Sequence, residues 1–289
     1  DDQMRYAKSG QWWENEGQRA LANNSIAYKG KISMETFMRE WLALVESKSG
    51  ERGIFNRESA KRQASKNGRR DVDHQFGCNP CSEIILRPYQ FCNLSEVVVR
   101  ADDTEETLLE KVEVATILGT FQATLTDFKY LRSIWKKNTE EERLLGVSLT
   151  GIMDNKLFND YNTVFFEDGQ QVFDGLRVGG ILTKLKEKAI EVNKKYSEML
   201  GINQSTAITC VKPSGTVSQL VDSASGIHAR HSAYYIRTVR GDNKDPLTQF
   251  MIDSGIPNEP DVMKPDSTTV FSFPMKSPEG ATTRNEMSA

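Results

Sequence analysis

Short apolar segments alternate with long amphipathic segments along this chain, and this alternation limits its fold more than any other feature. The stretch RLLGVSLTGIMD (143–154) is apolar and glycine-bounded, which indicates a buried strand running into a loop. Residues 104–132 and 176–200 have the periodicity of long helices, and the second is expected to end at Gly201. Strands that alternate with long helices predict an α/β architecture with several parallel strands.

The remaining predicted elements extend this pattern over the chain. They are a helix at 32–47 with Ser33 as its N-cap, a strand, loop and helix start at 205–222, a strand at 234–240, and a last strand at 267–276 that ends near Pro274. No stretch has the composition of an interdomain linker. We therefore expect a single domain over residues 1–289.

Composition excludes several classes of protein. The 289 residues are 38% hydrophobic and 27% charged, which suits a packed core and argues against disorder. A net charge of −3 and the lack of a long apolar run argue against nucleic-acid binding and against a membrane role. Four cysteines are too few for a disulfide scaffold, so we expect a reducing, cytoplasmic setting. Neither an initiator Met nor a signal peptide opens the chain, so we expect a fragment of a longer polypeptide.

The segment FGCNPCSEIILRPYQFCNL (76–94) contains three of the four cysteines. If a strand begins near Cys81, alternation puts Cys81 and Glu83 on one face, with Asn79 just before them. A thiol, an acid or base, and a hydrogen-bonding amide would then meet in one small volume. Such a set suits hydrogen abstraction by sulfur, together with removal of a proton from a neighbouring hydroxyl.

Cys78 and Cys81 also form a C-x-x-C pair, which allows other interpretations. Zinc would need two further ligands, and the sequence has no second C-x-x-C and no H-x-x-x-H. A redox pair of the thioredoxin type opens a helix, which the β-rich EIIL that follows does not favour. The cysteines could also be small buried hydrophobic residues that fill space.

A second candidate site is the loop in VKPSGTVSQ (211–219), which follows an apolar segment. Gly215 would let the backbone approach an anion closely, Ser214 and Thr216 offer hydroxyls, and a helix N-terminus would direct N–H groups to the same place. Lys212 could add positive charge or could be a solvated side chain. The pattern is not a Walker A motif, and a Pro-Ser-Gly turn has no necessary function by itself.

These motifs together resemble a known family. NPCSEI followed by FCNL is similar to the active-site loop of ribonucleotide reductases, and the eleven-residue step from Cys81 to Cys92 is similar to the adenosylcobalamin-dependent class. The resemblance continues in the same order through RALANNSIAYKG, RGIFNRE, LLGVSLTGIMD, VKPSGTVSQLVDSASGIHARHSAYYIRTVR and NEMSA. It implies that residues 1–289 form part of a ten-stranded α/β barrel with a central loop that carries the radical cysteine.

The resemblance implies a role for each residue of the cysteine segment. Cys81 matches the cysteine whose thiyl radical takes the 3′ hydrogen of the ribose, and Glu83 matches the base that takes the 3′-OH proton. Asn79 matches the amide that hydrogen-bonds the sugar hydroxyls. Cys92 matches one of two cysteines that reduce the 2′ position, and its partner is expected upstream of Asp1.

The resemblance also implies ligands and partners. The substrate is a ribonucleotide, with the triphosphate favoured, and its phosphates are held by Pro213, Ser214, Gly215 and Thr216. The cofactor is adenosylcobalamin, no metal site is expected in the chain, and a thioredoxin-like protein is the reductant of the full-length enzyme. Because the second reducing cysteine is expected elsewhere, we expect these residues to be inactive alone.

Three alternatives stay open. The same reaction could use a radical from an iron or manganese centre in a second subunit, a class whose paired tyrosines resemble Tyr234 and Tyr235. Those two tyrosines start an alternating β segment here, which favours a structural role. The chain could instead be a nucleotide-binding module without catalytic activity, or a zinc-binding domain.

Overall fold

The computed structural model describes residues 2–21, 25–48, 53–159, 165–167, 170–172 and 175–287. The helices are α1 (Asp2–Arg5), α2 (Trp12–Asn15), α3 (Met34–Ser47), α4 (Arg57–Ser65), α5 (Glu105–Gln122), α6 (Ser133–Glu142), α7 (Lys156–Asn159), α8 (Gly175–Leu200), α9 (Val217–Leu220) and α10 (Pro246–Asp253). The strands are β1 (Ser25–Tyr28), β2 (Gly53–Asn56), β3 (Gly77–Cys78), β4 (Ile85–Leu86), β5 (Asn93–Val98), β6 (Leu145–Thr150), β7 (Phe165–Glu167), β8 (Gln170–Val172), β9 (Tyr234–Asp242), β10 (Asn258–Pro260) and β11 (Thr268–Lys276).

The strands pair in both senses, whereas the sequence predicted several parallel strands. β1 and β2 are parallel, and β5 lies beside β6. Val147 of β6 also forms a parallel bridge with Thr209. In contrast, β9, β11 and β10 form an antiparallel sheet in the order β10-β11-β9.

The chain divides into two compact units, each assembled from three stretches of sequence. The first unit comprises Asp1–Ser95, Val112–Ser148 and Lys186–Lys212. Its core contains apolar side chains from the cysteine segment, from β6 and from the second half of α8. The most buried of them are Phe76, Ile84, Leu144, Leu145, Ala189 and Val192.

The second unit comprises Glu96–Lys111, Leu149–Leu185 and Pro213–Ala289. Its buried side chains include Val99, Leu108, Phe158 and Phe271. The expectation of a single domain over residues 1–289 stays a prediction. No helix in the described ranges has both the length and the apolar content needed to cross a membrane.

Several predicted elements are confirmed together with the local signals that predicted them. The hydroxyl oxygen of Ser33 accepts a hydrogen bond from the backbone N–H of Thr36, which caps α3. Gly201 has a φ of 66° directly after α8, the left-handed conformation that favours glycine at the end of a helix. β6 occupies the apolar segment predicted as a strand.

The helix predicted over 104–132 is wrong in its second part, because α5 ends at Gln122 and α6 begins only at Ser133. The hydroxyl of Thr124 donates to the carbonyl of Phe121 at 2.7 Å. The backbone N–H groups of Thr124 and Leu125 also bond to carbonyls three residues back, those of Phe121 and Gln122, so the last turn tightens and the α-helix ends there.

Two predictions in the C-terminal half also need correction. The strand expected before Pro213 is present only as the bridge at Thr209, within an extended segment that lies along β6. β11 continues past Pro274 to Lys276. β10 pairs only with Thr269–Phe271 of β11, so at Pro274 β11 is paired with β9 alone in the described sheet. The other edge of β11 is open there, and the lack of an N–H group in proline is tolerated at such an edge.

Candidate active site

The cysteine segment folds into a short hairpin whose tip carries the candidate catalytic residues. Cys78 of β3 pairs with Ile85 of β4 in antiparallel register. The side-chain oxygen of Asn79 accepts a hydrogen bond from the backbone N–H of Ile84 at 3.0 Å. The backbone N–H of Ser82 donates to the carbonyl of Asn79 at 2.9 Å. These bonds fix the tip over residues 79–84, so Cys81 lies in a turn.

The prediction that a strand begins near Cys81 and puts Cys81 and Glu83 on one face is wrong. β4 begins at Ile85, and between the two candidates Ser82 has a φ of 63°. A left-handed residue breaks the alternation of an extended chain. As a result Cys81 is exposed, whereas the side chain of Glu83 is only 1% exposed.

Glu83 is a buried carboxylate with one paired oxygen. Its Oε1 lies 3.3 Å from Nζ of Lys212, which is 129 residues further along the chain. Its Oε2 is buried and has no hydrogen-bond partner among the described residues. Because an unpartnered buried carboxylate oxygen is costly, this atom is expected to meet a donor that is not part of the described protein.

Glu83 also lines a small polar cavity of about 150 Å³, which has room for several water molecules. Thr206 lines the same cavity, and its hydroxyl is likewise buried without a partner among the described residues. Arg69 lines it too, and burial lowers the pKa of its guanidinium. The sequence reasoning singled out neither Thr206 nor Arg69, which carry no motif.

Cys92 lies just before β5 and is half-buried. Burial raises the pKa of its thiol, and the negative charge of Glu83 raises it further, whereas the positive charge of Lys212 lowers it. Cys92 also lines an open cavity of about 630 Å³ together with Phe91, Leu125 and Phe128. The thiol is therefore both within the electrostatic reach of Glu83 and beside a space that another group can enter.

The other two cysteines have different neighbours. The Sγ of Cys78 lies 3.4 Å from the hydroxyl of Ser82, within the hairpin. The Sγ of Cys210 lies close to Gly146, beside the side chains of Ile84 and Leu94. The described residues contain no group of three or more His, Cys, Asp or Glu side chains placed to hold a metal ion.

The predicted phosphate loop lies in the second unit and has a compact internal structure. The carbonyl of Ser214 accepts hydrogen bonds from the hydroxyls of Ser218 and Ser225. Ser214 itself is 2% exposed and has a φ of 53°, and its hydroxyl has no partner in the described part of the chain. Gly215 and Thr216 are exposed, whereas the helix that follows, α9, is a single turn.

The left-handed residue of this loop is therefore Ser214, whereas Gly215 has an ordinary φ and open space around the position of a Cβ. The prediction that one nucleotide reaches both this loop and Cys81 stays a prediction. A structure with a bound ribonucleotide would decide it.

Comparison with known proteins identifies relatives for the chain. No protein-family model matches it. Over 281 residues it is 30% identical to an adenosylcobalamin-dependent ribonucleoside-triphosphate reductase of Lactobacillus delbrueckii subsp. bulgaricus, covering 89% of this chain and 36% of the relative. Over 278 residues it is 31% identical to the reductase of the same name from Lactobacillus acidophilus, with the same two coverages. The chain thus spans about a third of the length of these curated relatives.

Solved structures show the same relationship. The whole chain superposes on 41% of a B12-dependent (class II) ribonucleotide reductase, with a TM-score of 0.74 and 27% identity. It also matches the class Id ribonucleotide reductase alpha subunit of Actinobacillus ureae over 86% of its length, with a TM-score of 0.50 and 17% identity, which is a likeness of fold alone.

The fold is therefore that of the ribonucleotide reductases, and the predicted class, an α/β-barrel fragment, is confirmed. Within these enzymes, the chain is homologous to the adenosylcobalamin-dependent (class II) ribonucleoside-triphosphate reductases, as its motifs predicted.

Proposed function

We propose that this chain is the catalytic part of an enzyme that reduces ribonucleotides, with ribonucleoside triphosphates as the first substrates to test, to 2′-deoxyribonucleotides. The observation that carries the proposal is the hairpin tip. It presents an exposed thiol at Cys81 two residues from a buried carboxylate, Glu83, with one oxygen unpartnered in the described protein. The relatives that bear the name of this activity align over 89% of the chain, which supports the same assignment.

The overall reaction consumes two thiols. The 2′-OH of the ribose leaves as water, two cysteines are oxidised to a disulfide, and hydrogen replaces the hydroxyl at the 2′ carbon. Cys92 is one of these two thiols, and its position beside an open cavity supports a role in which another group must approach it. The second thiol is expected upstream of Asp1.

Cys81 is the residue that exchanges a hydrogen atom with the 3′ carbon. An S–H bond is weak enough for its hydrogen to be removed by a carbon radical, and the resulting thiyl radical can take hydrogen from the ribose. The hydrogen returns to the 3′ carbon at the end of the cycle, so Cys81 is not consumed. Its exposure at the hairpin tip leaves the sulfur accessible to both reaction partners.

Glu83 is the general base for the 3′-OH proton. The burial of its carboxylate and the unpartnered oxygen fit a group that meets its donor only when substrate is bound. Asn79 uses its oxygen to close the hairpin. Its amide nitrogen, which makes no hydrogen bond within the described residues, is the part that suits a sugar hydroxyl.

The residues present fit a radical donor that approaches from outside the hairpin, because Cys81 is exposed at its tip. Adenosylcobalamin, when bound, supplies an organic radical through homolysis of its cobalt–carbon bond. Cys81 is the residue of this chain that would receive the radical. Glu83 and Asn79 act on the ribose and not on the cofactor.

Pro213, Ser214, Gly215 and Thr216 are the residues proposed to hold the substrate phosphates. The support for this is the buried hydroxyl of Ser214, which has no acceptor among the described residues, beside exposed backbone at Gly215 and Thr216. A phosphate oxygen is an acceptor that both a hydroxyl and backbone N–H groups can serve.

A thioredoxin-like protein is proposed as the reductant of the disulfide, in a cytoplasmic setting. The four cysteines are all free thiols, which suits a reducing compartment. An in vitro assay with a small dithiol avoids dependence on the natural reductant.

The proposed function is tested with the complete natural reading frame that contains this chain. Formation of 2′-deoxyribonucleotides from ribonucleoside di- and triphosphates is measured with a dithiol and adenosylcobalamin, and hydrogen exchange at the 5′ carbon of the cofactor is followed in parallel. We expect product and exchange, and both should be absent in Cys81→Ser.

The remaining alternatives give different results in the same assay. The chain would instead belong to the iron- or manganese-dependent class if deoxyribonucleotide forms without hydrogen exchange at the cofactor and only when a metal-containing subunit is added. The chain would be a nucleotide-binding module if it binds nucleotides but forms no deoxyribonucleotide with any of the reductants and radical sources.

A further inference from the structure

Lys212 is the cation that contacts the candidate base. It directly precedes Pro213 in the chain, so the sequence suggests a role in phosphate binding. In the structure its Nζ lies 3.3 Å from Oε1 of Glu83, and its side chain is 28% exposed while that of Glu83 is 1% exposed. An ammonium at this distance forms an ion pair with the carboxylate, and the burial of the carboxylate reduces screening by solvent.

This contact makes the two carboxylate oxygens different. Oε1 faces a positive charge, whereas Oε2 is buried without a partner among the described residues. A proton added to Glu83 is therefore favoured on Oε2, since protonating Oε1 would oppose the ammonium. The pair also limits the rotamers of a side chain that must be positioned for proton transfer.

The charges of Glu83 and Lys212 have opposite effects on the pKa of the Cys92 thiol. The negative charge of Glu83 raises the pKa of the Cys92 thiol, beyond the effect of burial, and the positive charge of Lys212 lowers it. Both charged side chains lie in the same compact unit as Cys92. Once Glu83 takes up a proton its charge is lost, and the effect of Lys212 on the thiol is no longer opposed by Glu83.

We propose that Lys212 is a positioning residue of the active site: it holds Oε1 of Glu83 so that Oε2 accepts the proton, and its charge offsets that of Glu83 at Cys92. Proton uptake by the base is thereby linked to easier ionisation of a reducing thiol. The part that concerns Glu83 as a base rests on the proposed reductase function. The part that concerns the charges around Cys92 does not.

The test uses the reaction of Cys92 with iodoacetamide in the complete protein, followed at this residue by mass spectrometry over a range of pH. The thiolate is the reactive form, so the midpoint of the rate against pH reports the thiol pKa. Lys212→Met should raise this midpoint and slow the reaction at a fixed pH near 8 by roughly 3- to 10-fold, the effect of removing one nearby charge. Glu83→Gln should lower the midpoint.

Two controls separate charge from packing. Lys212→Arg keeps the positive charge and should keep the midpoint close to that of the wild type. Lys194→Met removes an exposed ammonium from α8 in the same unit and should have no effect. An unchanged midpoint in Lys212→Met, or an equal shift in Lys194→Met, would overturn the proposal.

Turnover gives the second readout. Lys212→Met should lower kcat by about 10-fold or more with little change in KM, the pattern of a lost positioning contact for a general base. A raised KM with unchanged kcat and pH profile would instead assign Lys212 to phosphate binding and overturn the positioning role. If the alkylation shifts occur in a protein that makes no deoxyribonucleotide, the charge arrangement stands and the proposed function fails.

Discussion

The side-chain oxygen of Asn79 accepts a hydrogen bond from the backbone N–H of Ile84 at 3.0 Å, and this bond closes the loop that carries Cys81 and Glu83. Asn79 therefore has a structural task besides any contact with substrate. An aspartate at this position keeps an acceptor oxygen and loses only the amide donor.

We expect Asn79→Ala to open the hairpin tip and Asn79→Asp to keep it closed. One such hydrogen bond contributes about 0.5–1.5 kcal/mol, so the Ile84 amide should exchange with deuterium roughly 2- to 10-fold faster in the alanine variant only. Hydrogen exchange measured by mass spectrometry checks this. Equal exchange in both variants would show that the side chain of Asn79 does not close the loop.

Cys81→Ser should abolish deoxyribonucleotide formation, because an O–H bond is too strong to give up its hydrogen to a carbon radical. Cys78→Ser is the matched control, since Cys78 lies in the same hairpin and contacts Ser82. It should retain most of the activity. An equal loss of activity in both variants would contradict these separate roles and would favour the interpretation of Cys78 and Cys81 as a C-x-x-C pair.

Glu83→Gln should leave nucleotide binding nearly intact and slow the reaction, because the amide has the size of the carboxylate and cannot take a proton. Loss of one positioned general base costs about 10²–10⁴ in rate. Single-turnover rates and nucleotide affinity are the two measurements. A large loss of affinity with unchanged turnover would make Glu83 a binding residue.

Gly215→Ala should separate stability from phosphate binding. A Cβ at Gly215 meets nothing within 4 Å, so the free energy of unfolding should change by less than about 0.5 kcal/mol. If the bare backbone receives a phosphate, the KM for the nucleotide should rise about 10-fold, the equivalent of about 1.4 kcal/mol. Gly241→Ala is the contrasting control, because its Cβ would collide with Thr248 and destabilise the second unit.

Arg70→Met should destabilise the first unit, because Arg70 forms a buried, two-pronged ion pair with Glu142 at 2.8 and 2.9 Å. Removing one partner of a buried pair costs about 3–5 kcal/mol in the free energy of unfolding when the other charge is left alone. The cost here should lie at the lower end of this range or below it, because Arg87 still lies 3.0 Å from Glu142. Lys137→Met breaks the exposed pair with Glu141 and should cost about 0.5 kcal/mol or less. Denaturant titration measures the free energy of unfolding of both variants. A similar loss of stability in both would contradict the difference in burial between the two ion pairs.

The sequence predicted those features that depend on neighbouring residues. Ser33 and Gly201 predicted the ends of α3 and α8, because a cap acts within one turn of helix. The apolar run at β6 and the alternation at β9 predicted strands, because each pattern reflects which faces are buried. The order of the motifs also predicted the relatives, since it runs along the chain itself.

The tertiary structure decided which groups meet. The pairing of Lys212 with Glu83 joins residues 129 apart, and nothing in either local sequence indicates the other. The left-handed Ser82, which separates the exposed Cys81 from the buried Glu83, lies in a turn that Asn79 and Ile84 close from both sides. Local sequence determines the preferences of each segment, but burial and charge at a site depend on every segment packed around it, and only the folded chain brings those segments together.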